Sequence, residues 1–401
     1  MEVDQPQQHS DTPRISGGDF VLIRMPSTNT KIVCLKPGTT ISLGKFGSFK
    51  ADNLIGQTFG ATFEIQKDGK IIAQAPTAFD NADDTEANNK EINDDPTSQK
   101  MTFEQIEQLK LKSIAGDVSA KEIIDSLTEN NASFEKKTEY AKSKYIRRKE
   151  RKFLKAFTPM ETNVFNLCGY FFEVNPGKIR GIRPDTLSQL LSLANVYSKA
   201  RVLTVDDGQG LIAGSLLSRT TSEGMVFAVH DGDVSNYDVV RYMKLSPENK
   251  ERLRTLPWHR LNHEIAPFAE VLPENPSEND ISGYERRKRG HARLAANLET
   301  LRAGEFDALV VSTNYNVMSV VKKLLPYVGG SRMVVVYSQS KETLVEAFDW
   351  MRQSPEFLNV QMTESWLREY QVLPNRTHPL MMTSGGGGFL LSAIHVLSED
   401  N

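Results

Sequence analysis

The stretch Arg201-Val-Leu-Thr-Val-Asp-Asp-Gly-Gln-Gly-Leu-Ile-Ala-Gly214 decides the fold. Val202, Leu203 and Val205 read as a short apolar strand, a turn rich in aspartate and glycine follows, and Leu211 to Leu217 reads as the start of a buried helix. A strand, a glycine turn and a helix form the opening unit of a doubly wound α/β sheet. The helix N-terminus of that unit ordinarily receives a ligand's negative or polar group. Gly208 and Gly210 stand at the last two glycine places of such a turn, and Asp206 occupies the first. A Cβ and a carboxylate therefore sit where the backbone should approach a ligand closely. The turn is kept while its pocket chemistry is spoiled.

Working outward, the same α/β alternation continues to the C-terminus. Thr186 to Asn195 reads as a helix, Met225 to Val229 as a second strand, and Arg252 to Phe268 as irregular. Asp280 to Leu301 is a charged helix carrying Arg286-Arg-Lys-Arg289 and Arg293. Strands at Asp307–Val311 and Met333–Tyr337 alternate with helices at Val317–Leu325 and Thr343–Met351. Two final strands are expected around Trp366 to Leu373 and at Phe389 to Val396. Alternating elements closed by a strand pair predict a Rossmann-like, methyltransferase-type domain over residues 176–401.

Toward the N-terminus, residues 1–16 read as a disordered tail. Residues 17–76 hold short apolar runs such as Phe20–Arg24, Lys31–Leu35 and Thr58–Ile65, punctuated by glycines, which predicts a small β-barrel. Residues 77–100 form an acidic flexible linker. Residues 101–175 read as helical and basic. The run from Phe134 to Phe157 includes Lys144, Arg147, Arg148, Lys149, Arg151, Lys152 and Lys155, with Tyr140, Tyr145, Phe153 and Phe157 interleaved. A solvated helix or a nuclear-import signal explains such a run; so does a ridge contacting RNA phosphates, which the charge patterning favours. A nuclear location is the expectation. Lys178, Arg180 and Arg183 extend the basic surface or are simply solvated.

Composition bounds the rest. The 401 residues suggest two or three domains, and 39% apolar with 25% charged residues is ordinary for a chain with a packed core. A net charge of −3 gives no global nucleic-acid signature. The two cysteines, Cys34 and Cys168, make neither a disulfide framework nor a metal spacing, which fits a reducing compartment. Met1 to Ser10 is too polar for a signal peptide, and no apolar run approaches the ~20 residues of a membrane helix, so no membrane partner is expected. His259 and His263 have a metal-compatible spacing but only Glu264 beside them, which argues against zinc. The run Gly385 to Gly388 lacks the Lys-Ser/Thr of a phosphate loop, and a hairpin or close-packing role suits it better.

Three positions bear on catalysis. In S-adenosylmethionine-dependent methyltransferases the first turn reads roughly Gly-x-Gly-x-Gly, and here Asp206 breaks it. At the end of the second strand, where an acid would hold the ribose hydroxyls, stands His230, and Asp231 is one residue late. At the end of the strand through Val310, where a base is expected, stands Ser312, with Asn314 at the place of a proline. Together they predict a catalytically dead domain with no cofactor of its own. The alternative is an active S-adenosylmethionine-dependent RNA methyltransferase with an atypical pocket.

Several stretches resemble one family throughout the chain: Gly44-Lys-Phe-Gly47 with Ile55-Gly56, Phe134 to Tyr145, Arg183-Pro-Asp-Thr186, Glu364 to Pro374, and His378-Pro with Ser384 to Gly388. They are similar to the non-catalytic subunit of eukaryotic tRNA adenine N1-methyltransferases. The resemblance implies a heterotetramer, two of each subunit, with a catalytic partner of similar fold that binds S-adenosylmethionine. It implies that this chain helps to hold tRNA, with contacts at Lys152, Lys178, Arg180, Arg183, Arg368, Arg376, His378, Ser384, Gly385 and Gly386.

Overall fold

The computed structural model describes residues 13–27, 29–66, 68–74, 100–115, 120–132, 134, 142, 145–146, 149–150, 153–269, 275–372, 377–383 and 385–397. The chain divides into two compact units, Met1–Thr162 and Asn163–Asn401.

In the first unit the strands are β1 (Phe20–Arg24), β2 (Thr30–Cys34), β3 (Thr40–Ser42), β4 (Ser48–Lys50), β5 (Phe63–Ile65), β6 (Ile71–Ala73) and β7 (Ala156–Glu161). Five of them form an antiparallel sheet in the order β2-β1-β7-β5-β6, and β3 pairs with β4 separately. The expected barrel over residues 17–76 is therefore corrected. Among the described residues β2 and β6 are edges with no pairing to each other, so the sheet does not close. Its middle strand comes from residues 156–161, at the end of the stretch read as a basic helix. The strand holds that place by its apolar face: Phe157 stacks on Phe49 with ring centroids 4.5 Å apart, in a core with Val21, Ile23, Leu35 and Phe63. A smaller cluster joins Ile123 and Leu127 of the helix Ala120–Glu129 to Phe153.

The second unit is a seven-stranded sheet. Its strands are β8 (Arg201–Asp206), β9 (Met225–His230), β10 (Leu253–Pro257), β11 (Phe306–Ser312), β12 (Val328–Ser338), β13 (Phe357–Trp366) and β16 (Gly386–His395), in the order β10-β9-β8-β11-β12-β16-β13. The first five are mutually parallel, and β16 runs antiparallel between β12 and β13. The central strands are apolar on both faces, as a sheet covered by helices on both sides requires: Val202, Leu203, Val205, Leu309, Val310 and Val311 are fully buried. One face packs on the helices Glu278–Arg302, Val317–Leu324 and Glu342–Gln353. The helices Val164–Val174, Pro184–Leu193 and Leu211–Arg219 pack together on the other. A two-residue pair, β14 (Tyr370–Gln371) with β15 (His378–Pro379), projects after β13.

Two elements differ from the sequence reading. β10 lies in the segment read as irregular, and the penultimate strand is Phe357–Trp366, ending where Trp366–Leu373 was expected to begin. Parallel pairing lines up the strand ends: Asp206 opposite Ser312, and His230 opposite Pro257. These residues share the carboxyl edge of the sheet, where open α/β sheets bind ligands.

Candidate functional site

Asp206 ends β8 with its side chain 4% exposed. Its Oδ1 accepts from the Gly208 N–H at 2.8 Å, and its Oδ2 accepts from the Ala213 N–H at 2.9 Å. The amides that would face a ligand at this helix N-terminus are thus answered by the chain's own carboxylate. Burial pushes the Asp206 carboxyl up to about 6, with the donated N–H bonds pulling it down and neighbouring Asp207 adding to the rise. Asp207 ties the turn to the end of β11: its N–H donates to the Ser312 carbonyl at 2.9 Å, and its Oδ2 accepts from Thr313 Oγ1 at 2.9 Å and the Asn314 N–H at 2.8 Å.

Two further side chains fill the turn's surroundings. Tyr237 presses on the turn from the loop after β9. Gly210 has φ +82°, and a Cβ there would lie 2.7 Å from Tyr237 Cβ, so both backbone and space demand glycine. Arg180 donates to the Asn314 side-chain oxygen, and its own carbonyl accepts from the Tyr337 hydroxyl at 3.2 Å. Burial lowers the Arg180 pKa, opposed by Asp207, Tyr337 and Asp206; a guanidinium stays charged in proteins regardless, so a cation stands beside the strand ends. His230 is buried, and its Nδ1 lies 3.0 Å from the Asp231 carbonyl, which makes that nitrogen the donor. Burial lowers its pKa and keeps the ring neutral near pH 7. Ser312 is 1% exposed, and among the described residues its hydroxyl has no hydrogen-bond partner, hence no base to activate it. The first turn's amides are thus answered from within the chain, an arginine stands at the adjoining strand ends, and His230 occupies the end of β9.

The residues read as RNA contacts fall into three groups. Lys144, Arg147, Arg148, Arg151, Lys152, Arg376 and Ser384 lie outside the described residues. Lys149 and Lys155 belong to the first unit. Lys149 Nζ lies 5.0 Å from the Tyr145 ring centroid, and Lys142, Tyr145, Ile146, Lys149, Glu150 and Phe153 are helical. Their spacing is that of one helix face, and Tyr145 and Phe153 turn it toward the helix Ala120–Glu129: the Tyr145 hydroxyl is 3.4 Å from the Leu127 carbonyl.

The rest are in the second unit. Lys178 Nζ lies 5.2 Å from the Phe171 ring centroid and 4.0 Å from Asp238. Arg368 and His378 are exposed beside the β14–β15 pair. Arg183 is 7% exposed. It grips Asp185 with two bonds, of 2.6 and 2.9 Å, and donates to the Gly385 and Gly386 carbonyls at 3.1 and 3.3 Å. Thr186 Oγ1 adds bonds to Ser365 Oγ at 2.6 Å and to the Gly387 carbonyl at 2.9 Å. A Cβ on Gly387 would lie 2.5 Å from Thr186 Oγ1, so the glycine run serves close packing. The structure thus brings Arg183, Gly385 and Gly386 together, as one internal clamp. Sequence reasoning missed Tyr237, which carries no motif, and assigned no role to Asp207, Thr186 and Ser365, although each lies in a quoted stretch. Among the described residues no group of three or more His, Cys, Asp or Glu is placed to hold a metal, and no helix is long and apolar enough to cross a membrane.

A doubly wound sheet with this strand order and an internally satisfied first turn defines a methyltransferase-type fold whose ligand turn is degenerate. The chain belongs to the Gcd10p family, which matches residues 14–288. It is 32% identical over 98% of its length, and 94% of the relative's, to a Schizosaccharomyces pombe protein named tRNA (adenine(58)-N(1))-methyltransferase non-catalytic subunit trm6. It is 28% identical to the mouse protein of that name, covering 100% of this chain and 93% of that one. A SAM-dependent O-methyltransferase from Thermotoga maritima shares the fold, with a TM-score of 0.53 at 11% identity over 100% of both chains.

Proposed function

We propose that this chain is the non-catalytic, tRNA-binding subunit of a complex that methylates N1 of a T-loop adenine, and that it holds no methyl donor of its own. The observation that carries this reading is Asp206 bound to the amides of its own helix N-terminus, with Arg180 over the adjacent strand ends. A methyl transferase must hold donor and base together, and the residues here are spent on one another. The catalytic partner supplies S-adenosylmethionine, and the two chains assemble as two copies of each. The edge strand β13 and the β14–β15 pair suit the partner-facing role. Trp366 at the end of β13 is 66% exposed, and Val372 and Met382 after β14 and β15 are 74% and 98% exposed; among the described residues the outer edge of β13 has no strand partner, and such an edge with large apolar side chains needs cover. The basic run from Lys144 to Lys155 supports both tRNA contact and a nuclear location.

The test is methyl transfer to tRNA by this chain with and without a catalytic partner. The wild type alone and Ser312→Asp alone are both expected to transfer nothing, and the wild-type mixture is expected to be active. A labelled methyl group on tRNA from partner-free Ser312→Asp refutes the reading, because it requires a working donor pocket.

A further inference from the structure

The basic run Arg286-Arg-Lys-Arg289 and the segment after β10 have no part in the reading above. The helix Glu278–Arg302 carries Arg286, Arg287, Lys288, Arg289 and Arg293, all exposed, with no acid between Glu285 and Glu299. Positions 286, 290, 293 and 297 recur at helical spacing and share one face. That face walls a cleft of about 510 Å³, within the usual size of small-molecule sites. Arg293 lines it from the helix. His230, Thr255 and Arg260 line it from the ends of β9 and β10. Asn297 Nδ2 donates to the Thr255 carbonyl at 3.1 Å, which fixes the helix wall to the strand wall.

The charge of this cleft is the reverse of the one usual for the fold. Its neighbourhood, at the carboxyl end of the second strand, is where folds of this type present an acid to a nucleoside. Here His230 stands in that place and two arginines flank it. Among the described residues neither Arg260 nor Arg293 is paired with a carboxylate. Asp233, exposed and 3.7 Å from His259 Nε2, is the acid in the lining. Gly290 is a further residue of this wall. It sits inside the helix, where glycine is unfavourable, and a Cβ there would meet nothing within 4 Å. It lines the cleft wall, with open space beside it.

We propose that this cleft binds the phosphate group of a nucleotide, with Arg260 and Arg293 as the two arms of the clamp and Arg286 and Arg289 continuing the positive track along the helix. Guanidinium pairs match phosphate oxygens in geometry as well as in charge. RNA is the expected source of the nucleotide, and in that respect the proposal rests on the tRNA-binding reading.

The experiment uses the complex with its catalytic partner. tRNA affinity is measured across salt concentration for the wild type, Arg260→Gln with Arg293→Gln, and Gly290→Leu, which adds the large side chain of a good helix former to the cleft wall. Calorimetry with AMP is run on the same three. The double variant is expected to flatten the log–log salt slope by about one unit, for the one phosphate the two arginines clamp, and to lose AMP binding. Gly290→Leu is expected to lose AMP binding while unfolding no more easily than the wild type. AMP binding abolished in the variants with the tRNA slope unchanged makes a free nucleotide the source. An unchanged slope together with AMP that binds nowhere, or binds all three proteins alike, overturns the proposal. If wild-type complex binds no tRNA, the tRNA-binding reading fails, and the AMP comparison still decides the cleft.

Discussion

Replacing Arg183 by alanine separates an internal role from an RNA-contacting one. The guanidinium makes two bonds to Asp185 and two to the carbonyls of Gly385 and Gly386, with side-chain exposures of 9% and 21% for the two charged partners. Removing one partner of a buried ion pair costs about 3–5 kcal/mol. Asp185 keeps the Ser365 hydroxyl at 2.9 Å and some exposure to water, so the lower end applies, about 3 kcal/mol. For a unit of this size that lowers the melting temperature by roughly 6–12 °C. Arg183→Lys keeps the charge but loses the fork and recovers less than half of the deficit. The pH dependence has a definite sign. Burial alone would raise the Asp185 pKa, but hydrogen bonds from Arg183 and Ser365 and the arginine charge hold it below 3.8. A lowered carboxylate contributes stability that is present above the unfolded pKa and lost as pH falls below it. The deficit of Arg183→Ala is therefore largest at neutral pH and shrinks in acid. Denaturant unfolding at several pH values, together with tRNA binding across salt, measures both. Stability within about 0.5 kcal/mol of wild type, accompanied by a flatter salt slope, would refute the clamp and restore Arg183 as a phosphate contact.

The other predictions follow from the same geometry. The Asp206 carboxyl, raised from 3.8 to about 6, makes wild type most stable below the unfolded pKa and costs it up to about 3 kcal/mol as pH rises through 6. Asp206→Asn should lack that fall, so parallel wild-type and variant unfolding curves between pH 4.5 and 7 contradict the buried ionisation. Changing Arg147, Arg148, Arg151 and Lys152 to alanine should weaken tRNA binding and flatten its salt slope by roughly one unit for each phosphate left without its cation, while assembly with the partner persists. Val372→Glu with Met382→Glu places two charges on the exposed apolar end of the sheet and should reduce assembly with the partner at least tenfold. Co-elution at wild-type concentrations shows that the partner sits elsewhere.

What could be read from the sequence was what is encoded locally. Arg201 to Gly214 announces itself because an apolar strand, a glycine turn and a helix start lie side by side, and the structure places all three there. β10, Leu-Arg-Thr-Leu-Pro, escaped because only its last two residues are buried, so its charged residue and its proline read as loop. β13 escaped for a related reason: as an edge strand it exposes most of its residues and shows no clean alternation. The first sheet was misread because its middle strand lies far along the chain from its neighbours, and no local pattern announces that pairing. At the site, the spoiled motif at Asp206 was visible, but the use made of its carboxylate was not. Arg183 looked like a free cation because the carbonyls it grips lie 202 and 203 residues away.

The carboxylate on the first turn also changes what this fold depends on. A protein that binds a small molecule in its folded state alone gains stability with the logarithm of that molecule's concentration, and softens when the supply falls. Asp206 is covalently attached to the turn it satisfies, so its effective concentration is set by two residues of backbone and never varies. The turn is held by a ligand that cannot dissociate. What modulates this turn is therefore the proton, acting on a buried acid whose pKa burial raises to about 6.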